Sequence, residues 1–219
     1  GAVSPPGGDM SEPVTTDTQR FVRTLWTLDR DLAYSRHYPA VSWRGSFSRD
    51  ADALGRWHAG HGDPLWAQRR ASASLLLSEA DRLTALAEII GTASLPGHEQ
   101  MVLLGGRLVR DGVLLQNALS PNDGYSSAEK GSALLQIVLE VVDVCQALVA
   151  RGVPAADVER VDFTPILRLR ENTGPTDADG VWAQGRGFLA RLQQMDGTGP
   201  DRPDHGRATE SSGGIDGGT

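Results

Sequence analysis

The chain has 219 residues, a formal charge of −7 and a pI near 5.2, with 39% hydrophobic and 5% aromatic residues. That is enough for one domain with a sizeable core, and the acidic balance without a basic stripe excludes a phosphate-backbone binder, so no nucleic-acid partner is expected. Cys145 is the one cysteine, which excludes an internal disulfide.

Residues 1–14 read as an irregular Pro/Gly loop, because Pro5-Pro6, Gly7-Gly8 and Glu12-Pro13 oppose regular structure. A first helix is expected from Thr15 to Tyr34, with Phe21, Leu25, Leu28 and Leu32 at helical spacing and Trp26 alongside. Tyr38-Pro39 breaks the chain, and Val41-Ser42-Trp43 is expected to be extended. A short helix follows Ser48 with Leu54 and Trp57 on one side, and Asp63-Pro64 opens a long helix over 65–90. Its inner face is read as Leu76, Leu83, Leu86 and Ile90, and Gly91 stops it. Ser94-Leu95-Pro96 opens the next helix, carrying Met101, Leu104, Leu108 and later Leu115, and Gly105-Gly106 and Gly112 weaken it. Asn122-Asp123-Gly124 is a turn. Ser126 or Ser127 caps the strongest helix, 128–151, closed by Gly152, and a last helix is expected from Ala155 to Arg170.

Beyond Asn172 the composition shifts to Gly, Asp, Thr and Pro. Trp182 to Met195 reads as a short helix that docks weakly or not at all, and 197–219 as a disordered tail. The fold class is therefore all-α: a bundle over 15–172, preceded by the loop 1–14 and followed by a linker and tail over 173–219. The apolar run Ala133–Ala150 is interrupted by Gln136, Glu140, Asp143 and Gln146, which reads as an amphipathic helix rather than a membrane span. No basic start followed by an apolar stretch is visible, and the expected compartment is the cytosol.

Phosphoryl-transfer chemistry needs a glycine-rich loop followed by Lys and Ser or Thr. No Gly-x-x-x-x-Gly-Lys-Ser/Thr occurs, and the single lysine, in Ala128-Glu129-Lys130-Gly131, lacks the preceding glycines. No catalytic residue is assigned, and the chain alone is not expected to hydrolyse ATP. His58 and His61 are three apart with Asp63 nearby, a spacing that could hold a metal. Gly60 and Gly62 make that segment a flexible helix end without further ligands, so no metal site is expected. His37 reads as a structural histidine, His98 and His205 as loop residues, Cys145 as a small core hydrophobe, and Asp29 and Asp31 as surface carboxylates in salt bridges.

Several segments occur in an order that closely resembles one family, the catalytic A subunit of V/A-type rotary ATPases. They are Ser4-Pro5-Pro6-Gly7-Gly8-Asp9-Met10-Ser11-Glu12-Pro13-Val14-Thr15; Phe21 to Ala33; Arg36-His37-Tyr38-Pro39-Ala40-Val41-Ser42-Trp43; Glu88-Ile89-Ile90-Gly91; and Leu114-Leu115-Gln116-Asn117-Ala118-Leu119. The resemblance runs from residue 1 to about 170 and begins downstream of that family's phosphate-binding loop. It implies the C-terminal portion of a larger enzyme. It further implies two jobs for the helical domain: covering the adenine side of the catalytic nucleotide, and pushing on the central rotor stalk.

By resemblance, Gln116, Asn117, Ala118 and Leu119 lie at the adenine. The family usually has an aromatic at the position of Leu119, and core packing is the other reading of this leucine. The rotor contact corresponds to Leu95, Pro96, Gly97, His98 and Glu99, where F-type relatives carry an acidic tip and this chain has only Glu99; an ordinary interhelical turn is the other reading. Pro5, Pro6, Gly7, Gly8, Glu12 and Pro13 would form the hinge. The implied cofactors are ATP or ADP with Mg in the parent complex, none of them bound by this chain alone. The implied partners are the central rotor stalk and the B subunit, with no direct membrane insertion, at a cytoplasmic location peripheral to the membrane. A second reading is a free-standing remnant acting as an α-helical scaffold or binding module. It is motivated by the missing aromatic at Leu119, the glycines within helical segments and the tail.

Overall fold

The hydrophobic spacing of residues 128–150 organises the molecule. In the computed structural model, which describes residues 1–195, this segment is helix α6 (Ala128–Ala150). The Ser127 hydroxyl accepts the Lys130 amide at 3.2 Å and starts the helix. Ala133, Leu134, Ile137, Val138, Val141, Val142, Cys145 and Leu148 are buried, three or four residues apart. They form one continuous stripe covered by α4 (Trp66–Ile90), α5 (Gly97–Val109) and α10 (Ala178–Gln193). By length and composition α6 is apolar enough to cross a membrane. Its apolar face is spent on the core of the bundle.

The glycines of α5 have a packing explanation. A side chain on Gly105 would meet Val142 of α6 at 2.9 Å, and one on Gly106 would collide with Ala80 of α4. These residues let three helices approach closely, which outweighs their poor helix propensity. The α5 axis continues through a π-helical turn, Arg110–Leu114, and Leu115 then leaves in an extended conformation rather than inside the helix. On α4 the buried residues are Ala73, Leu77, Ala80 and Leu83. Ile90, expected on the inner face, is the last residue of α4 and is exposed.

Two helical readings change. The expected helix from Ala155 to Arg170 is three short pieces, α7 (Ala155–Glu159), α8 (Thr164–Leu167) and α9 (Leu169–Asn172). Pro165 cannot sit inside a helix without losing a hydrogen bond, and it occupies the first turn of α8. The helix expected to dock weakly near Trp182 is α10, and it docks fully. Asp177 caps it by accepting the Gly180 amide at 2.8 Å, and Val181, Gly185, Phe188, Leu189 and Leu192 are buried, mainly against α6. The tail expected to be disordered, 197–219, and His205 within it lie outside the described residues.

The N-terminal quarter differs most. The helix expected over Thr15–Tyr34 is α1 (Pro13–Phe21), β2 (Thr24–Thr27) and α2 (Arg30–Tyr34). Across β2, Leu25 and Thr27 are buried and Trp26 is exposed, a period of two that only a strand can produce. Phe21, expected at helical spacing with Leu25, Leu28 and Leu32, ends α1 and is 85% exposed. Within the first fourteen residues, expected to be irregular, Ala2–Val3 form β1, and Pro6–Gly8 make a 3-10 turn with Gly7 and Gly8 at φ 61° and 77°. β1 pairs parallel with β2 (Ala2 opposite Trp26), and β3 (Phe47–Ser48) pairs antiparallel with it (Leu25 opposite Phe47), giving the order β1-β2-β3. Val41 is extended and bridges Leu28, whereas Trp43 lies in a turn. α3 (Ala51–Gly60) links this unit to α4. The helical class stands, with a small sheet added at one end.

Candidate functional site

The loop between the π turn and α6 carries the four residues expected at the adenine. Gln116, Asn117, Ala118 and Leu119 are all exposed, and Leu119 is 95% exposed. Core packing, the other reading of Leu119, is thereby excluded. A lone exposed apolar side chain is ordinary on a protein surface and by itself assigns no role. The loop is held tightly beneath it. The Gln116 amide donates to the Tyr38 carbonyl at 2.7 Å, tying the loop to the segment that follows α2. The Asp123 carboxylate accepts the Asn117 amide and, at 2.9 Å, Nε of Arg170, and both charged side chains are nearly inaccessible. Arg170 also donates to the Asp111 carbonyl. The Asn117 side chain accepts the Leu119 amide at 3.1 Å, and Asn122 Nδ2 donates to the Glu171 carbonyl at 2.8 Å.

Lys130 completes this support. Its side chain is 0% exposed, and Nζ donates to the carbonyls of Asn122 (2.7 Å), Arg170 (2.7 Å) and Thr173 (3.0 Å). Three ammonium hydrogens meet three acceptors. Burial pushes this ammonium below the ordinary lysine range, while the Asp123 and Asp177 charges oppose that shift.

The neighbouring segment supplies an aromatic that the motif reading passed over. Tyr38 is half exposed, and its carbonyl accepts the Gln116 amide. Its signal was the aromatic beside the chain-breaking proline, taken as a breaker and as part of the family segment 36–43 but not as a site residue. Arg36, two residues earlier, takes a left-handed φ of 61°. His37 is 7% exposed and packs edge-on against Trp43 at 6.1 Å. Burial pushes its imidazole below the ordinary value; Asp111 acts in the opposite sense, and Arg110 and Arg170 add to the lowering.

The other expected site residues lie elsewhere. Leu95 is buried, Pro96 and His98 are exposed, and Glu99 is half buried. A side chain on Gly97 would meet Val149 at 2.9 Å, so this turn lies beside the C-terminal end of α6, with exposed Ile89 and Ile90 just before it. Glu12 accepts the amides of Val14 (3.1 Å) and Thr15 (2.8 Å) and caps α1, with Pro13 as its first residue. Asp29, expected in a surface salt bridge, instead caps α2 by accepting the amides of Asp31 (2.9 Å) and Leu32 (3.1 Å).

His58 stacks on Trp66 at 4.4 Å and His61 on Trp57 at 4.1 Å, while Asp63 pairs with Arg69. Among the described residues no three His, Cys, Asp or Glu side chains converge as metal ligands. Cys145 is buried on α6, where burial pushes its thiol up to about 12.

Residues 1–48 match the model of the ATP synthase alpha/beta family, nucleotide-binding domain. Residues 55–154 match that of the C-terminal domain of V and A type ATP synthase. The V-type ATP synthase alpha chain of Nitrosococcus oceani is 45% identical over 158 residues, 72% of this chain and 27% of that relative. The A subunit of the A-type ATP synthase of Thermofilum pendens is 39% identical over 173 residues, 78% of this chain and 29% of the relative. The V-type alpha chain of Halothermothrix orenii is 35% identical over 195 residues, 89% of this chain and 32% of the relative. The chain therefore spans about a third or less of the length of these relatives.

Among solved structures, one described as a unique ATP synthase subunit, NeqB, from Nanoarcheaum equitans shares the fold. It superposes with a TM-score of 0.53 at 20% identity, over 64% of this chain and 33% of that one. With 45% and 39% identity to two named alpha or A subunits and a match to their C-terminal domain, the chain belongs to the V- and A-type ATP synthase A (alpha) subunit family, in its C-terminal part.

Proposed function

We propose that this chain is the lever of a rotary ATPase A subunit, covering the adenine side of the catalytic nucleotide at one end and pressing on the central rotor stalk at the other. The observation that carries this reading is the placement of the two candidate segments. The 95–99 segment runs into the first turn of α5 and the 116–119 loop follows the π turn that prolongs it, so they occupy opposite ends of one packed helix. At about 1.5 Å per residue they are separated by roughly 25 Å of rigid core. Displacement at one end of such a body is delivered at the other.

The nucleotide-side end is also tied, through Gln116 and Tyr38, to the unit that matches a nucleotide-binding-domain family. The residues fit a purine face in one respect that can be checked on the molecule: Leu119 is apolar, uncovered and rigidly based. Leu119 and Tyr38 would exclude water from the base, and Gln116 and Asn117 would offer polar edges. ATP or ADP with Mg supplies the phosphoryl group in the parent complex, and no group in this sequence forms a phosphate-binding loop. The segment Pro5, Pro6, Gly7, Gly8, Glu12 and Pro13 would take up the motion as a hinge between β1 and the capped start of α1. The complex would place the chain on the cytoplasmic face of a membrane, beside B and stalk subunits.

Co-purification with B and central stalk subunits tests this reading. Retention in a complex that consumes ATP is the expected result. Failure to associate with any of them leaves the free-standing scaffold instead.

A further inference from the structure

The sequence holds 21 basic residues, of which one is lysine. That lysine stands at a position with no exposure, where three carbonyl oxygens from two separate stretches of chain converge. Asn122 belongs to the 115–127 loop, and Arg170 and Thr173 to α9 and the residue that closes it. An ammonium has three donors around one nitrogen and matches a convergent triad of acceptors. A guanidinium is planar, longer and spreads its five donors in a fixed fork, so it cannot meet the same three atoms from the same backbone position. The neighbouring charges are already committed. Arg170 pairs with Asp123, and Asp123 also holds the Asn117 amide, two residues from Leu119. Nothing else among the described contacts binds Asn122, Arg170 and Thr173 to one point.

We propose that Lys130 is a positioning residue that fixes the 115–127 loop, and hence the surface presented by residues 116–119, through an ammonium geometry that arginine does not reproduce. The consequence for nucleotide rests on the adenine-cover reading above; the consequence for the loop does not.

Amide hydrogen exchange on the full chain tests the first part. In Lys130→Arg and Lys130→Met, the amides of Gln116, Asn117, Asp123 and Gly124 are expected to exchange at least roughly 10-fold faster, because three hydrogen bonds to a charged group are lost or distorted. The amides of Ile137 to Cys145 in α6 are expected to keep their wild-type rates. Unchanged loop exchange in Lys130→Arg overturns the proposal. So does acceleration spread equally over α6, which would make Lys130 an ordinary core residue. Asp123→Asn, which keeps the shape and weakens the shared acceptor, is expected to loosen the same four amides and serves if the methionine variant does not fold.

In the assembled ATPase, Lys130→Arg is expected to raise KM for ATP several-fold with little change in kcat. A loosened loop with unaltered KM leaves the positioning role in place and removes the adenine-cover reading.

Discussion

Gly185 on α10 offers a sharp test of how this bundle is packed. A Cβ built there would lie 2.6, 2.7 and 2.8 Å from three side-chain carbons of Ile137 on α6, about 1 Å inside normal carbon contact. Ile137 is fully buried and β-branched, so on a helix it has essentially one rotamer and cannot swing aside. Gly185→Ala gains about 1 kcal/mol of helix propensity but overpacks the α6–α10 contact, at about 1–3 kcal/mol. The net expectation is a loss of up to about 2 kcal/mol. Gly187, two residues along the same helix, has nothing within 4 Å of its virtual Cβ, so Gly187→Ala keeps the propensity term alone and is expected to stabilise by up to about 1 kcal/mol. For a chain of this size 1 kcal/mol moves Tm by about 2–4 °C, so thermal denaturation of the pair separates them clearly. In Gly185→Ala/Ile137→Ala the clash is gone, and the double variant is expected to be more stable than the sum of the single losses. A Gly185→Ala protein as stable as Gly187→Ala would refute the close α6–α10 approach.

Three further outcomes follow from the site and the core. The His37 imidazole is held below its ordinary value of 6.5 by burial, so the unfolded chain takes up a proton there before the folded one does. Its contribution to stability is complete above pH 6.5 and is lost as pH falls through the folded value. His37→Phe, which keeps an edge-on ring for Trp43, is expected to show a shallower loss between pH 7 and 5 in denaturant titrations, and an identical slope would contradict this. Cys145, pushed up to about 12 and 1% exposed, is expected to resist thiol reagents at pH 8 until the protein unfolds; one thiol titrated within minutes in the native state would refute its burial. Leu119→Phe supplies an aromatic at the exposed tip, and base stacking, worth about 1–3 kcal/mol relative to alanine, predicts a KM for ATP lowered by at least several-fold and by at most roughly 150-fold in the assembled enzyme. An unchanged KM would argue against contact with the base.

The amino-acid sequence by itself determined the helical class, the extents of α4 and α6, the serine cap of α6 and the ordered motifs that mark the family. These depend on local periodicity and capping, which are written in neighbouring residues. It also placed Cys145 in the core. What it could not decide were features that exist only between distant segments. Thr24 to Thr27 is a strand because Ala2–Val3 and Phe47–Ser48 are there to pair with it; alone, Leu25 and Leu28 also fit a helical spacing. α10 docks because Gly185 and Ile137 meet across 48 positions of sequence, and a glycine in a polar stretch reads locally as a weakness. The network of Lys130, Asp123 and Arg170 joins three segments of ordinary composition, and a buried ammonium is tolerated only when tertiary folding brings its acceptors to it.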